Sequence, residues 1–141
     1  MKATVLLADS AQSDLAGKVH ALGLGWKITS SPTPPMAVVV LVDLDWEEAN
    51  VRVTLDASLV DSDGSPVLSP NAPNDPVSFH GEFETGRPAG IPTGAELRVP
   101  IAVNIGQGLP LKSGGSYRWH VELRAPGSNV VAEEPFTVAS T

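Results

Sequence analysis

A chain of 141 residues is the size of one domain, and it buries roughly 68–70% of its unfolded surface around a single core. Hydrophobic residues at 42% with a mean hydropathy of +0.05 exclude disorder, since disordered chains are poorer in apolar side chains and richer in net charge. Nine Lys plus Arg against sixteen Asp plus Glu leave a formal net charge of -7; with the few cations scattered, the surface repels a phosphate backbone and nucleic acid is not an expected partner.

The apolar stretch at the N-terminus stops at Asp9, short of the roughly 7–15 residues a secretory core needs, so Ala3 to Asp9 reads as a first strand. After a polar connection, Lys18 to Ile28 reads as a second, with His20, Leu22, Leu24, Trp26 and Ile28 on one face and Val19, Ala21, Gly23 and Gly25 on the other. Glycines inside a strand mark a bulge or the close approach of another backbone, and both readings stay open here. Ser30 to Pro35 holds three prolines and forms a stiff connector, because each fixes its own φ and pushes the preceding residue toward extended geometry.

Met36 to Val42 is apolar without alternation, which predicts a strand covered on both faces. It is also the longest apolar run, far below the roughly 20 residues that cross a hydrocarbon core, so no membrane partner is expected. Asp43 to Asn50 is polar apart from Leu44, Trp46 and Ala49 and has room for one helical turn. Val51, Val53, Leu55, Ala57 and Leu59 then alternate with Arg52, Thr54, Asp56 and Ser58, and Asp63-Gly64 supplies a hairpin turn. Pro66 to Pro76 reads as an irregular surface loop.

Strand character returns at Val77 to Thr85, with Phe79, Gly81 and Phe83 inward and Ser78, His80, Glu82 and Glu84 outward. Gly86 to Gly94 is a long loop carrying Arg87, Pro88 and Ile91. Leu97, Val99, Ile101, Val103 and Ile105 form the next inward row; Pro100 within it donates no ladder hydrogen bond, which predicts a sheet edge or a bulge. Ser116 to Arg124 alternates Tyr117, Trp119, Val121 and Leu123 against Arg118, His120, Glu122 and Arg124, and a last strand runs from about Asn129 to Val138. Many short strands, a glycine-flanked Tyr117 opening a late one, and no amphipathic helix predict an all-β domain over residues 1–141. The expected form is an immunoglobulin/fibronectin-like β-sandwich of seven to eight antiparallel strands, with a barrel or jelly roll as the competing arrangement.

Motifs for chemistry are sparse. The absence of cysteine removes disulfides, thiol catalysis and thiolate metal sites. No Gly-x-Ser-x-Gly elbow occurs, and the three histidines have no diagnostic partner for a nucleophile. Asp61-Ser62-Asp63-Gly64 opens like a calcium loop, yet Ala72 stands where the bidentate glutamate belongs. Gly23-Leu24-Gly25 and Gly106-Gln107-Gly108 lack the third glycine of a dinucleotide loop, having Ile28 and Leu111 there. Glu47-Glu48 and Glu133-Glu134 are sequence neighbours, which in a strand point to opposite faces. The one metal candidate is the row His80, Glu82 and Glu84, joined by His120 or Glu122 if their strand lies alongside; alternation alone also produces such a row on any solvated face. No cofactor is expected. Trp46 has two readings, a core anchor beneath a turn or an exposed contact, and Arg87 has two, a donor to loop carbonyls or an exposed contact.

Leu7-Ala8-Asp9, Leu22-Gly23-Leu24-Gly25-Trp26, Trp46-Glu47-Glu48-Ala49-Asn50, Gly86-Arg87-Pro88 with Gly90-Ile91-Pro92, and Val103-Asn104-Ile105 together resemble a family of small proteins, mainly of actinobacteria and their phages, known as a domain of unknown function. The resemblance spans nearly the whole chain and carries no catalytic residues. It implies a stand-alone domain with a structural role. The resulting expectation is a non-enzymatic interaction protein, an accessory decoration or tail subunit of a virion or a similar symmetric assembly, docking or self-associating through Trp46, Arg87, Pro88 and Ile91. A cytoplasmic module binding a protein or small ligand is the alternative. The corresponding location is the virion for a phage gene and the cytoplasm otherwise.

Overall fold

Period-two alternation leaves one apolar row per strand, and such rows are buried by laying sheets face to face. The computed structural model describes residues 1–140 and is all-β. In chain order the strands are β1 (Lys2–Ala8), β2 (Ser10–Ser13), β3 (Val19–Leu22), β4 (Ile28–Thr29), β5 (Met36–Leu44), β6 (Val53–Asp61), β7 (Leu68–Ser69), β8 (Ala72–Pro76), β9 (Ser78–Phe83), β10 (Leu97–Ile105), β11 (Ser116–Ala125) and β12 (Ser128–Val138). A 3-10 turn, Trp46–Glu48, follows β5. Among the described residues no helix is long and apolar enough to cross a membrane.

One sheet has the order β1-β5-β10 and the other β4-β12-β11-β6-β9, every neighbouring pair antiparallel except the parallel contact of β4 with β12. Their inner faces share a single core. Met36, Val38, Val40, Val42 and Leu44 of β5 meet Leu55, Ala57 and Leu59 of β6 and Trp119, Val121 and Leu123 of β11. At about 25 cal/mol per Å² of apolar surface removed from water, this layer is the main source of stability.

The expected double coverage of Met36 to Val42 is observed, because β5 is the middle strand of its sheet and its second face is covered too. The β2–β3 hairpin folds over that outer face, where Ala8, Ala11, Ala37 and Val39 form a small second core. Asn104 of β10 fastens the hairpin: its amide nitrogen donates to the Ala11 carbonyl at 2.8 Å, and the Ala11 N–H donates to its amide oxygen at 3.1 Å. Pro100 lies on an edge strand, as its missing donor requires.

Three expectations are corrected. Lys18 to Ile28 is not one strand: β3 ends at Leu22, Gly23 and Gly25 take φ of 64° and 92°, and the chain resumes only at β4. At Gly23 glycine is favoured by its left-handed backbone, and a Cβ there would also push the exposed Asp9 carboxylate aside. Pro66 to Pro76 is not irregular throughout, as it contains the β7–β8 hairpin with a register shift at Leu68/Ser69. Val51 precedes its strand, which starts at Val53. Tyr117 ends a turn by accepting the Lys112 N–H on its hydroxyl at 2.9 Å, and it stacks on Phe136 with ring centroids 5.9 Å apart.

Candidate functional site

Four places on this scaffold gather side chains with chemical potential. The first is the end of the domain where the 3-10 turn meets the loop between β9 and β10. Arg87 lies over the Trp46 ring at 4.6 Å and donates two hydrogen bonds to the Trp46 carbonyl, at 3.2 Å from Nε and 2.7 Å from Nη2. Of the two readings of Arg87, the structure therefore places it as a donor to a loop carbonyl. Trp46 is half-buried, Ile91 packs from the loop against the main core, and Pro88 is exposed. The four residues share one end of the molecule, but three of them are engaged in holding the loop down.

The second is the outer face of the five-stranded sheet. His80 Nδ1 and Asp56 Oδ1 are 2.7 Å apart, and Arg124 reaches Asp56 at 2.8 Å and Glu122 at 2.8 Å. Asp56 and Glu122 are direct cross-strand partners, so Arg124 neutralises a like-charge pair that would otherwise be destabilising. The hydrogen bond from His80, supported by Arg124, holds the Asp56 carboxyl below the usual range. Along the same face His120 and Arg118 both bond Glu133, at 2.9 and 2.6 Å, and lower its carboxyl in that order. Glu82 and Glu84 face Arg52 at 3.7 and 3.8 Å.

This arrangement separates the residues of the metal candidate. Strand β6 lies between β9 and β11, so His120 and Glu122 stand two strand spacings, about 9.5 Å, from the row of His80, Glu82 and Glu84. Among the described residues no group of three or more His, Asp or Glu comes together in a way that could hold a metal ion.

The third place is an open depression of about 710 Å³ beside the β2–β3 hairpin, lined by Ser10, Gln12, His20, Leu22 and Asn104 among others. His20 is occupied there by Asp14, at 2.6 Å. Asp14 in turn accepts the Lys18 and Ala16 N–H groups.

The fourth is the flank where the two sheets end side by side. There β9 closes one sheet and β10 the other. Phe79 and Phe83 point inward from β9, Val99, Ile101 and Val103 from β10, and they line a mainly apolar groove of about 200 Å³ floored by Leu55. All five are only half-buried, although Phe79, Phe83, Val99 and Ile101 pack against the core. Phe79 sits 5.8 Å from the fully buried Trp119 ring. Alternation marked these side chains as inward and so concealed their exposure; Pro100, which calls for an edge, was the only local signal of an open flank.

The model of a family of unknown function, DUF6941, matches residues 3–138. The chain belongs to that family. The DUF6941 match spans both sheets, both hairpins and all four places described above. A comparison with curated proteins gives no match.

Proposed function

We propose that the protein is a non-enzymatic interaction module, an accessory subunit that docks on a larger protein assembly through the open flank between β9 and β10. The carrying observation is the row of half-buried Phe79, Phe83, Val99, Ile101 and Val103 between two sheet ends. Apolar side chains lining a groove with polar surroundings are the surfaces that lose water on association, while the rim sets register. The chemistry of the remaining surface supports the same reading. Each histidine is solvent-accessible and spends one ring nitrogen on a different carboxylate, whereas catalytic groups are desolvated and convergent.

The strand order, three strands facing four long ones with β4 added beside β12, supports an immunoglobulin/fibronectin-like sandwich as the frame, a fold that commonly works through its edges and loops. In its most specific form the assembly is a virion of a phage of actinobacteria, a form that rests on the sequence resemblance. The test is the composition of purified particles: the account expects the chain in fixed stoichiometry and its loss from particles on Ile101→Lys, with the isolated variant still folded. Particles that lack the native chain, or retain the variant in full, contradict it. The depression beside the β2–β3 hairpin favours a second reading, a free cytoplasmic module for a small ligand; that reading predicts that His20→Ala abolishes binding while Ile101→Lys does not.

A further inference from the structure

Sheet ends expose unpaired N–H and C=O groups, and folded proteins shield them. Among the described residues the four ends of the two main sheets are shielded to different degrees, β1 only near its C-terminal end. Strand β4 has two residues, β1 has its Leu7 carbonyl occupied by the Gly25 N–H at 2.6 Å, and β10 carries Pro100 and the Asn104 clasp. Strand β9 has no proline, no lysine and no register shift, and among the described residues its backbone from Phe79 to Phe83 makes no hydrogen bond beyond its ladder to β6.

Its sequence is chemically palindromic about Gly81: Phe79-His80-Gly81-Glu82-Phe83. We propose that β9 pairs antiparallel with β9 of a second copy of this chain, on a two-fold axis through Gly81, so that the two five-stranded sheets become one. This deepens the docking reading above and rests on its premise that the flank is a working surface.

Directly opposed residues in an antiparallel pair share a face, so the two-fold axis fixes who meets whom. Centred on Gly81, His80 opposes the partner's Glu82 and Phe79 opposes the partner's Phe83, and each pair occurs twice. Centred on Glu82, two carboxylates would oppose each other at the axis, and centred on either His80 or Glu82 a phenylalanine would face the partner's Gly81 instead of a second ring. On the outer face His80 Nδ1 is held by Asp56, while Nε2 is 4.0 Å from Glu82 of its own chain, beyond hydrogen-bond distance. At Gly81 a Cβ would meet nothing within 4 Å, and its φ is not positive. A side chain is therefore accommodated at the axis, where it would point out of the sheet plane and leave the edge free to pair.

Gly81→Cys in the full chain is a clean probe, because the protein has no other cysteine. In this register the two Cα atoms at the axis lie about 4.5–5.5 Å apart, inside the disulfide range. Mild oxidation is expected to link the variant into dimers at least about tenfold faster than Glu84→Cys, whose side chain lies off the axis. Independently, sedimentation equilibrium should show His80→Glu and Glu82→His each raising the dimer Kd about tenfold, and the double exchange returning it to within about threefold, since the opposed pair is then restored with its members swapped. A native chain that stays monomeric at about 1 mM, equal cross-linking at the two positions, or a double exchange as weak as the single ones would overturn the pairing. Monomeric behaviour would overturn self-pairing alone, because the particle experiment decides docking separately.

Discussion

The two strands that flank the apolar groove differ in how their free sides are treated. Strand β10 has a proline at its centre and a carboxamide clasping the neighbouring hairpin, while on its paired side Arg98 grips Asp43 of β5 through two bonds of 2.6 and 3.0 Å. Strand β9, with the same apolar inner row, has a glycine at its centre and a histidine and a glutamate symmetrically about it. The difference teaches that an edge is closed or left open one residue at a time, independently of the core it borders.

The largest expected effect removes the support of both strands. Trp119 is fully buried and meets Phe79, so Trp119→Ala should cost about 3–5 kcal/mol in urea unfolding. A cost below about 1 kcal/mol would show that the flank does not rest on this ring. Next in size is Asn104→Ala, which strips two hydrogen bonds from Ala11. About 1–3 kcal/mol should be lost, with hydrogen exchange quickening in β2 and β3 and unchanged in β9. Equal quickening in β9 would break the contrast between the edges.

The Asp43–Arg98 pair gives the contrast a pH signature. Arg98 beside it, through hydrogen bonds foremost, holds the Asp43 carboxyl below its usual range despite its burial. A depressed folded value means that the unfolded state binds the proton more readily, so the pair stabilises fully above the ordinary carboxylate range. That contribution fades as pH falls through the lowered value. Arg98→Ala should therefore lower the melting temperature at neutral pH and flatten its fall in acid. The same melting temperature as the native chain at pH 7 would contradict it. The smallest effect belongs to the loop joining the two edges: Arg87→Ala loses the ring contact and the bonds to the Trp46 carbonyl. About 1 kcal/mol and a shift in tryptophan emission are expected, and unchanged emission would place Trp46 outside Arg87's control.

Much of this architecture was legible from side-chain patterning. Met36 to Val42 announced a central strand by lacking alternation, and Pro100 announced an edge by lacking a donor. Other features depend on contacts between distant segments. The alternation from His20 to Ile28 runs straight through a turn, because the turn through left-handed Gly23 and Gly25 is held by backbone bonds to Leu7 and Asp9 of a distant segment. The role of Arg87 depended on where Trp46 would lie, 41 positions earlier in the chain. The symmetry about Gly81 was present in the letters, but its meaning required knowing that β9 ends a sheet. The metal row failed to assemble for the complementary reason: strand order, which alternation does not encode, inserted β6 between the candidates.

Hydrogen exchange of the native chain at low and high protein concentration tests the unequal edges most directly. Amide protection at Phe79–Phe83 should rise with concentration while that of Leu97–Ile105 stays constant. Protection that is independent of concentration in both strands, or that rises in β10 instead, would contradict the account.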